Sequence, residues 1–95
     1  MKLAGRAAIV TGSSRGVGRN VALAYAKEGA DVLINYSSSE GPALEAVEQI
    51  RAMGRKAVAV KADVANKAEV ENMVAMAKEN FGRVDILVNN AGFTK

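Results

Sequence analysis

The sequence predicts an α/β protein with a doubly wound parallel sheet, and three observations carry that expectation. Four short apolar runs alternate with three stretches of helical periodicity. The runs are apolar on both sides, as strands must be when helices cover both faces of a sheet. A glycine-rich turn leaves the first run and enters the first helix directly.

Taken in order, Ala7 to Thr11 reads as the first strand. Gly16 to Glu28 follows as a helix with Val17, Val21, Ala24 and Tyr25 at helical spacing. Gly29 closes it, where a residue without Cβ can take the left-handed cap conformation. Val32 to Tyr36 is the second strand. A helix from its N-cap Ser39 to Met53 turns Ala43, Val47 and Ile50 to one face and tolerates Pro42 in its first turn, where no backbone N–H is needed. Ala57 to Lys61 is the third strand. Lys67 to Phe81 is the third helix, with Val70, Met73, Val74, Ala77 and Phe81 on one face and Gly82 as its stop. Asp85 to Asn89 is the fourth strand. Right-handed crossovers place the first two helices on one face and the third on the other, giving strand order 3-2-1-4. The reversal between strands one and four is a switch point, and ligands bind there, outside the carboxyl ends of the strands.

Composition removes several function classes. A chain of 95 residues fits one domain. Its net charge is +3, but the basic residues are scattered, and the tightest cluster, Arg55-Lys56, makes no stripe for a nucleic-acid backbone. The chain has neither Cys nor His, which argues against disulfides and a zinc site and removes the commonest general base. No apolar run approaches the ~18 residues of a membrane span, and the first ten residues hold no signal-peptide core. The expectation is a cytoplasmic protein with no metal, no nucleic-acid partner and no membrane.

The turn after the first strand reads Thr11-Gly12-Ser13-Ser14-Arg15-Gly16-Val17-Gly18. Gly12 permits a sharp exit from the strand, Gly16 lets a ligand approach the backbone, and Gly18 lets the helix pack closely. The free N–H groups of the helix start, at the positive end of its dipole, then face an anion. The spacing differs from the Gly-x-Gly-x-x-Gly fingerprint. The Gly-Lys-Ser/Thr ending that ATP and GTP hydrolysis would need is missing. A bare strand-to-helix turn is the competing reading. The features at the other strand ends favour a nucleotide.

Those features are Asp63-Val64 after the third strand and Asn89-Asn90-Ala91-Gly92 after the fourth. With Thr11 to Gly18 they resemble the short-chain dehydrogenase/reductase family, over essentially the whole chain but only the first part of a family member. The wording of Thr11 to Gly16 and of Val84 to Gly92 looks most like the 3-oxoacyl-carrier-protein reductase branch, and related sugar and polyol dehydrogenases look similar here. The resemblance implies a Rossmann-type fold and hydride transfer between a nicotinamide cofactor and a carbonyl or alcohol. It implies that Asp63 holds the adenine amino group and Val64 packs on the ring. Asn89 ties strands together, while Asn90, Ala91 and Gly92 lie against the nicotinamide ribose. As a helix cap, Asp63 has a rival role, for which Asn66 is better placed.

The end of the second strand bears on the cofactor. An Asp or Glu about twenty residues past the glycine turn would grip both ribose hydroxyls of NAD. Asn35-Tyr36-Ser37-Ser38 offers no acid. Arg15 can reach a 2′-phosphate with a permanently charged fork, and Ser37 and Ser38 can donate to it. NADP(H) is therefore expected ahead of NAD(H), although family members that bind NADP often carry a second basic residue near position 37. Tyr36 falls at the adenosine end.

In the family, a Tyr, a Lys four residues later and a Ser perform the chemistry. Here Tyr25 is followed at that distance by Gly29, and Tyr36 by Glu40. No catalytic residue is therefore expected within the chain, which should not turn over substrate alone. A non-catalytic nucleotide-binding or assembly module is the alternative. The fourth strand should expose an apolar edge, to be covered by a catalytic half or by self-association.

Overall fold

The computed structural model describes residues 2–90. Its elements follow the predicted alternation: β1 (Ala7–Val10), α1 (Gly16–Lys27), β2 (Asp31–Tyr36), α2 (Glu40–Ala52), β3 (Ala57–Lys61), α3 (Lys67–Phe81) and β4 (Ile86–Val88). All three ladders are parallel and the strand order is β3-β2-β1-β4, as expected. Ile9 stands between Leu33 and Leu87, and Leu33 stands beside Val58. Successive residues then alternate between two faces.

Each face buries its own core. Val10, Val32, Ile34 and Ala57 pack against Ala22 and Ala26 of α1 and against Ala43, Val47 and Ile50 of α2. Ile9, Leu33 and Val60 meet Met73 and Ala77 of α3, with Val70, Val74 and Phe81 partly buried around them. Ile9 and Leu33 are fully buried. Truncating either to alanine costs roughly 2–5 kcal/mol.

One local expectation needs correction in part, and another is met with a difference. The buried stripe of α1 is Gly18, Ala22 and Ala26, and Val21 and Tyr25 of the expected face pack partly buried against the same core. Ala24 is exposed and Val17 is 70% exposed. Three small residues at four-residue spacing let the helix axis approach the sheet closely, and this turns the larger Val17 outward. Ser39 does stand at the N-cap of α2, but its side chain makes no capping hydrogen bond.

At the amino end of the sheet, Asp85 clasps β1 to the approach of β4. Its Oδ2 accepts from Ala7 N at 2.9 Å. Its Oδ1 lies 2.7 Å from Arg83 Nη2 and 3.6 Å from Arg6 Nη1. The hydrogen bond from Arg83, and then that from Ala7, hold this carboxyl below the usual Asp range. On its far side β4 has no strand among the described residues, and Leu87 is 56% exposed. No helix among them is long and apolar enough to cross a membrane.

Candidate functional site

At the carboxyl end of the sheet the chain leaves β1 through the glycine turn. Gly12 (φ +58°) and Gly16 (φ +68°) both occupy the left-handed region, where a Cβ is disfavoured. A Cβ on Gly16 would meet nothing within 4 Å, so the bare backbone there is open to a ligand. Gly18 is different. A Cβ on it would collide with the Gly12 carbonyl oxygen and stand 2.7 Å from Asn90 Nδ2. The close packing expected of Gly18 therefore occurs within the site itself, and Gly18 does not line the cleft.

Ser13 also departs from its expected place among the ligand-facing residues. It is fully buried. Its hydroxyl donates to Val10 O and accepts from Asn35 N at 3.0 Å, while its own N–H donates to Asn35 O. Its polar groups are spent on holding the turn to β1 and β2.

Asn35 was passed over by sequence reasoning except as a residue that is not an acid. It is 2% exposed. Its Oδ1 accepts from Gly12 N at 2.9 Å, and its Nδ2 faces Ala62 O at 3.2 Å and Val60 O at 3.4 Å. The available signal was an amide at the end of the apolar run Val32-Leu33-Ile34. A polar group buried there must find partners.

Across β1, the Thr11 hydroxyl reaches Val88 O and Asn89 Oδ1, each at 3.3 Å, and accepts from Asn90 N at 2.8 Å. Asn90 Nδ2 donates to Gly12 O at 3.3 Å. The side chains of Thr11 and Asn89 thus link β1 to the end of β4. Ala91 and Gly92 lie outside the described residues.

These strand ends enclose a cleft of about 800 Å³, within the range of ~300–1,000 Å³ usual for small-molecule sites. Gly12, Ser14, Arg15, Gly16 and Val17 form one wall. Tyr36, Ser37 and Ser38 line the end of β2, Asp63 and Val64 the end of β3, and Asn90 the side toward β4. Arg15 is the N-cap of α1, extended at φ −161°, and its side chain makes no capping bond. The first turn of α1 holds no acid. Gly16 and Val17 of this turn line the cleft, and the leading N–H groups at the positive end of the dipole are a donor set suited to an anion.

Asp63 is exposed at the opposite wall, and its Oδ1 accepts from Ala65 N at 2.9 Å. The cap of α3 belongs to Asn66, whose Oδ1 accepts from Glu69 N at 3.1 Å, so the rival role for Asp63 falls away. The Tyr36 hydroxyl titrates above its ordinary value, first through burial and then through the nearby Glu40 carboxylate. It stays protonated at neutral pH, with its hydrogen bond directed to Glu40.

Sheet order and cleft together define a Rossmann-type α/β protein with its cleft at the switch point. The chain belongs to the short chain dehydrogenase family, whose pattern matches residues 6–95. Among curated relatives, it is 50% identical over 90 residues to an L-rhamnose 1-dehydrogenase (NAD(P)(+)) of Sphingomonas sp. (strain SKA58), covering 95% of this chain and 35% of that protein. It is 48% identical over 90 residues to a hydroxynaphthalene reductase-like protein, Arp2, of Metarhizium anisopliae, covering 95% of this chain and 34% of that one. A crystal structure of a short chain dehydrogenase from Burkholderia cenocepacia J2315 in complex with NADP superposes with a TM-score of 0.95 at 46% identity, over 100% of this chain and 39% of the other. The chain thus spans about a third of the length of the curated relatives it matches.

Proposed function

We propose that this chain holds the adenosine and pyrophosphate of NADP(H) for an oxidoreductase that interconverts a carbonyl and an alcohol. One observation carries the reading: α1 begins uncapped, without an acid and with Arg15 at its head, beside the two positive-φ glycines of the turn. In isolation a cation at the positive end of a helix dipole is unfavourable, and a bound anion reverses the sign.

The residues divide by what each can offer. The backbone of Gly12, Ser14, Gly16 and Val17 takes the pyrophosphate, with Ser13 and Gly18 shaping the turn from behind. Arg15 and Ser37 take the 2′-phosphate, Tyr36 flanks the adenosine, and Asp63 and Val64 receive the adenine. Asn90, with Ala91 and Gly92, faces the nicotinamide ribose. When bound, the nicotinamide supplies or accepts a hydride. NADP(H) is placed ahead of NAD(H) because β2 ends without a carboxylate, and the NADP complex of the Burkholderia relative is consistent with that.

The wording of the motifs makes a 3-oxoacyl thioester our proposed substrate. The relatives' names contain instead a sugar and a hydroxynaphthalene. The family's Tyr and Lys are not paired at either tyrosine of this chain, so the chain alone is proposed to bind cofactor without turnover. The side of β4 that carries Leu87 is proposed to be covered by the remainder of a family member's length, or by another copy.

Calorimetric titration of the natural full-length protein tests the reading. NADPH should bind about tenfold or more tighter than NADH, and S-adenosylmethionine should not bind. A protein that binds neither nicotinamide dinucleotide overturns the function. Equal affinities overturn the preference.

A further inference from the structure

A ligand that lies across the cleft must meet the phosphate turn, the end of β2 and the wall beyond β3 at one fixed spacing. Of these three segments, the phosphate turn lies beyond the β1–β2 ladder, which ends at Val10 and Ile34, while β2 and β3 stay paired through Tyr36 and Lys61. Asn35 touches all of them. Its Oδ1 holds Gly12 N, its backbone exchanges two hydrogen bonds with Ser13, and its Nδ2 reaches Val60 O and Ala62 O. Ala62 directly precedes Asp63 and Val64. An apolar residue would fill this buried site at lower desolvation cost, so the cost of the amide is offset only by the bonds it makes.

We propose that Asn35 is a positioning residue of the cleft, fixing the distance between the phosphate turn and the wall after β3. The proposal rests on the dinucleotide reading above. Two subsites joined by one ligand gain from linkage only when their spacing matches that ligand. Each subsite keeps its own groups when the brace is cut, so a ligand occupying one end alone hardly senses the loss. A dinucleotide senses it fully.

The test uses Asn35→Ser and Asn35→Leu in the natural full-length protein. Both are uncharged, so neither adds repulsion toward phosphate. Binding of NADPH is compared with that of adenosine, which meets only the side of β2 and β3, and of nicotinamide mononucleotide, with stoichiometry as the measure of folded protein. NADPH affinity should fall about 10- to 50-fold, while adenosine and nicotinamide mononucleotide each stay within about twofold. An equal loss for all three ligands would overturn the proposal, as would unchanged NADPH binding in a folded variant. Failure of both variants to fold would also overturn it, because the residue would then serve the fold and not the cleft. If the unaltered protein binds no nicotinamide dinucleotide, the nucleotide reading itself fails. If it binds and the variants lose all ligands alike, only this proposal does.

Discussion

All three helices among the described residues start at the carboxyl ends of strands, and two of them, α1 and α3, begin in opposite ways. At α3, Asn66 accepts from Glu69 N, and Glu69 Oε1 accepts from Asp63 N at 2.8 Å, with the acid already in the first turn. That terminus is finished by its own residues. At α1 the N-cap is Arg15, with no capping bond and no acid. Serine, threonine, aspartate or asparagine at such a position adds ~1 kcal/mol of stability. Forgoing that amount makes sense where the donors serve something outside the chain. The difference separates a helix start that ends a fold element from one that forms half of a binding site.

The largest test strikes the turn on which the α1 terminus depends. Gly18→Val should destabilise the natural protein by about 2–3 kcal/mol, since the branched side chain meets the Gly12 carbonyl and Asn90, and should abolish dinucleotide binding. Urea unfolding and a titration read the two effects, and a fully stable variant would show that the close approach is unimportant.

Next in size, Arg15→Glu should weaken NADPH by about 100-fold and NADH by far less, because only NADPH carries the 2′-phosphate. Parallel titrations decide it, and equal losses refute the assignment.

A paired exchange sharpens the contrast further. Val17→Asp supplies α1 with the acid it lacks, on a side chain already exposed. It should add about 0.5 kcal/mol of stability while lowering dinucleotide affinity about tenfold. Asn66→Ala should do the converse, costing ~1 kcal/mol with affinity unchanged. If Val17→Asp left binding intact, α1 would be no anion site.

The smallest effect belongs to the amino end of the sheet, far from both termini. The Asp85 carboxyl is lowered by Arg83 and by Ala7 N–H. Its contribution is therefore fully present above about pH 4 and disappears as pH falls through the lowered value. The stability gap between the unaltered protein and Asp85→Asn should narrow from pH 6 to pH 3 in urea titrations. A gap independent of pH would place the effect elsewhere.

Legibility in the sequence followed the range of the interactions. The bounds of α3 match their expectation at both ends, because Asn66, a five-residue apolar stripe and Gly82 are all local signals. The face of α1 was legible only in part: Val21 and Tyr25 pack against the core as expected, but Val17 and Ala24 are exposed and the buried stripe is the small one, Gly18, Ala22 and Ala26. At the cleft, Arg15, Tyr36, Ser37, Asp63, Val64 and Asn90 are all lining residues. Ser13 and Gly18 turned inward, and the buried Asn35 side chain bonds the glycine turn to the end of β3.

The sequence by itself determined the order of elements, the parallel sheet and the place where the cleft opens. Periodicity, caps and left-handed glycines act within a few residues, and right-handed crossovers then leave one topology. Only the tertiary structure decided which polar atoms face the cleft and which hold it together. Those bonds join residues far apart in the chain, such as Gly12 to Asn35, Asn35 to Ala62 and Thr11 to Asn90. No local pattern specifies such partners. They meet only once four strands lie side by side.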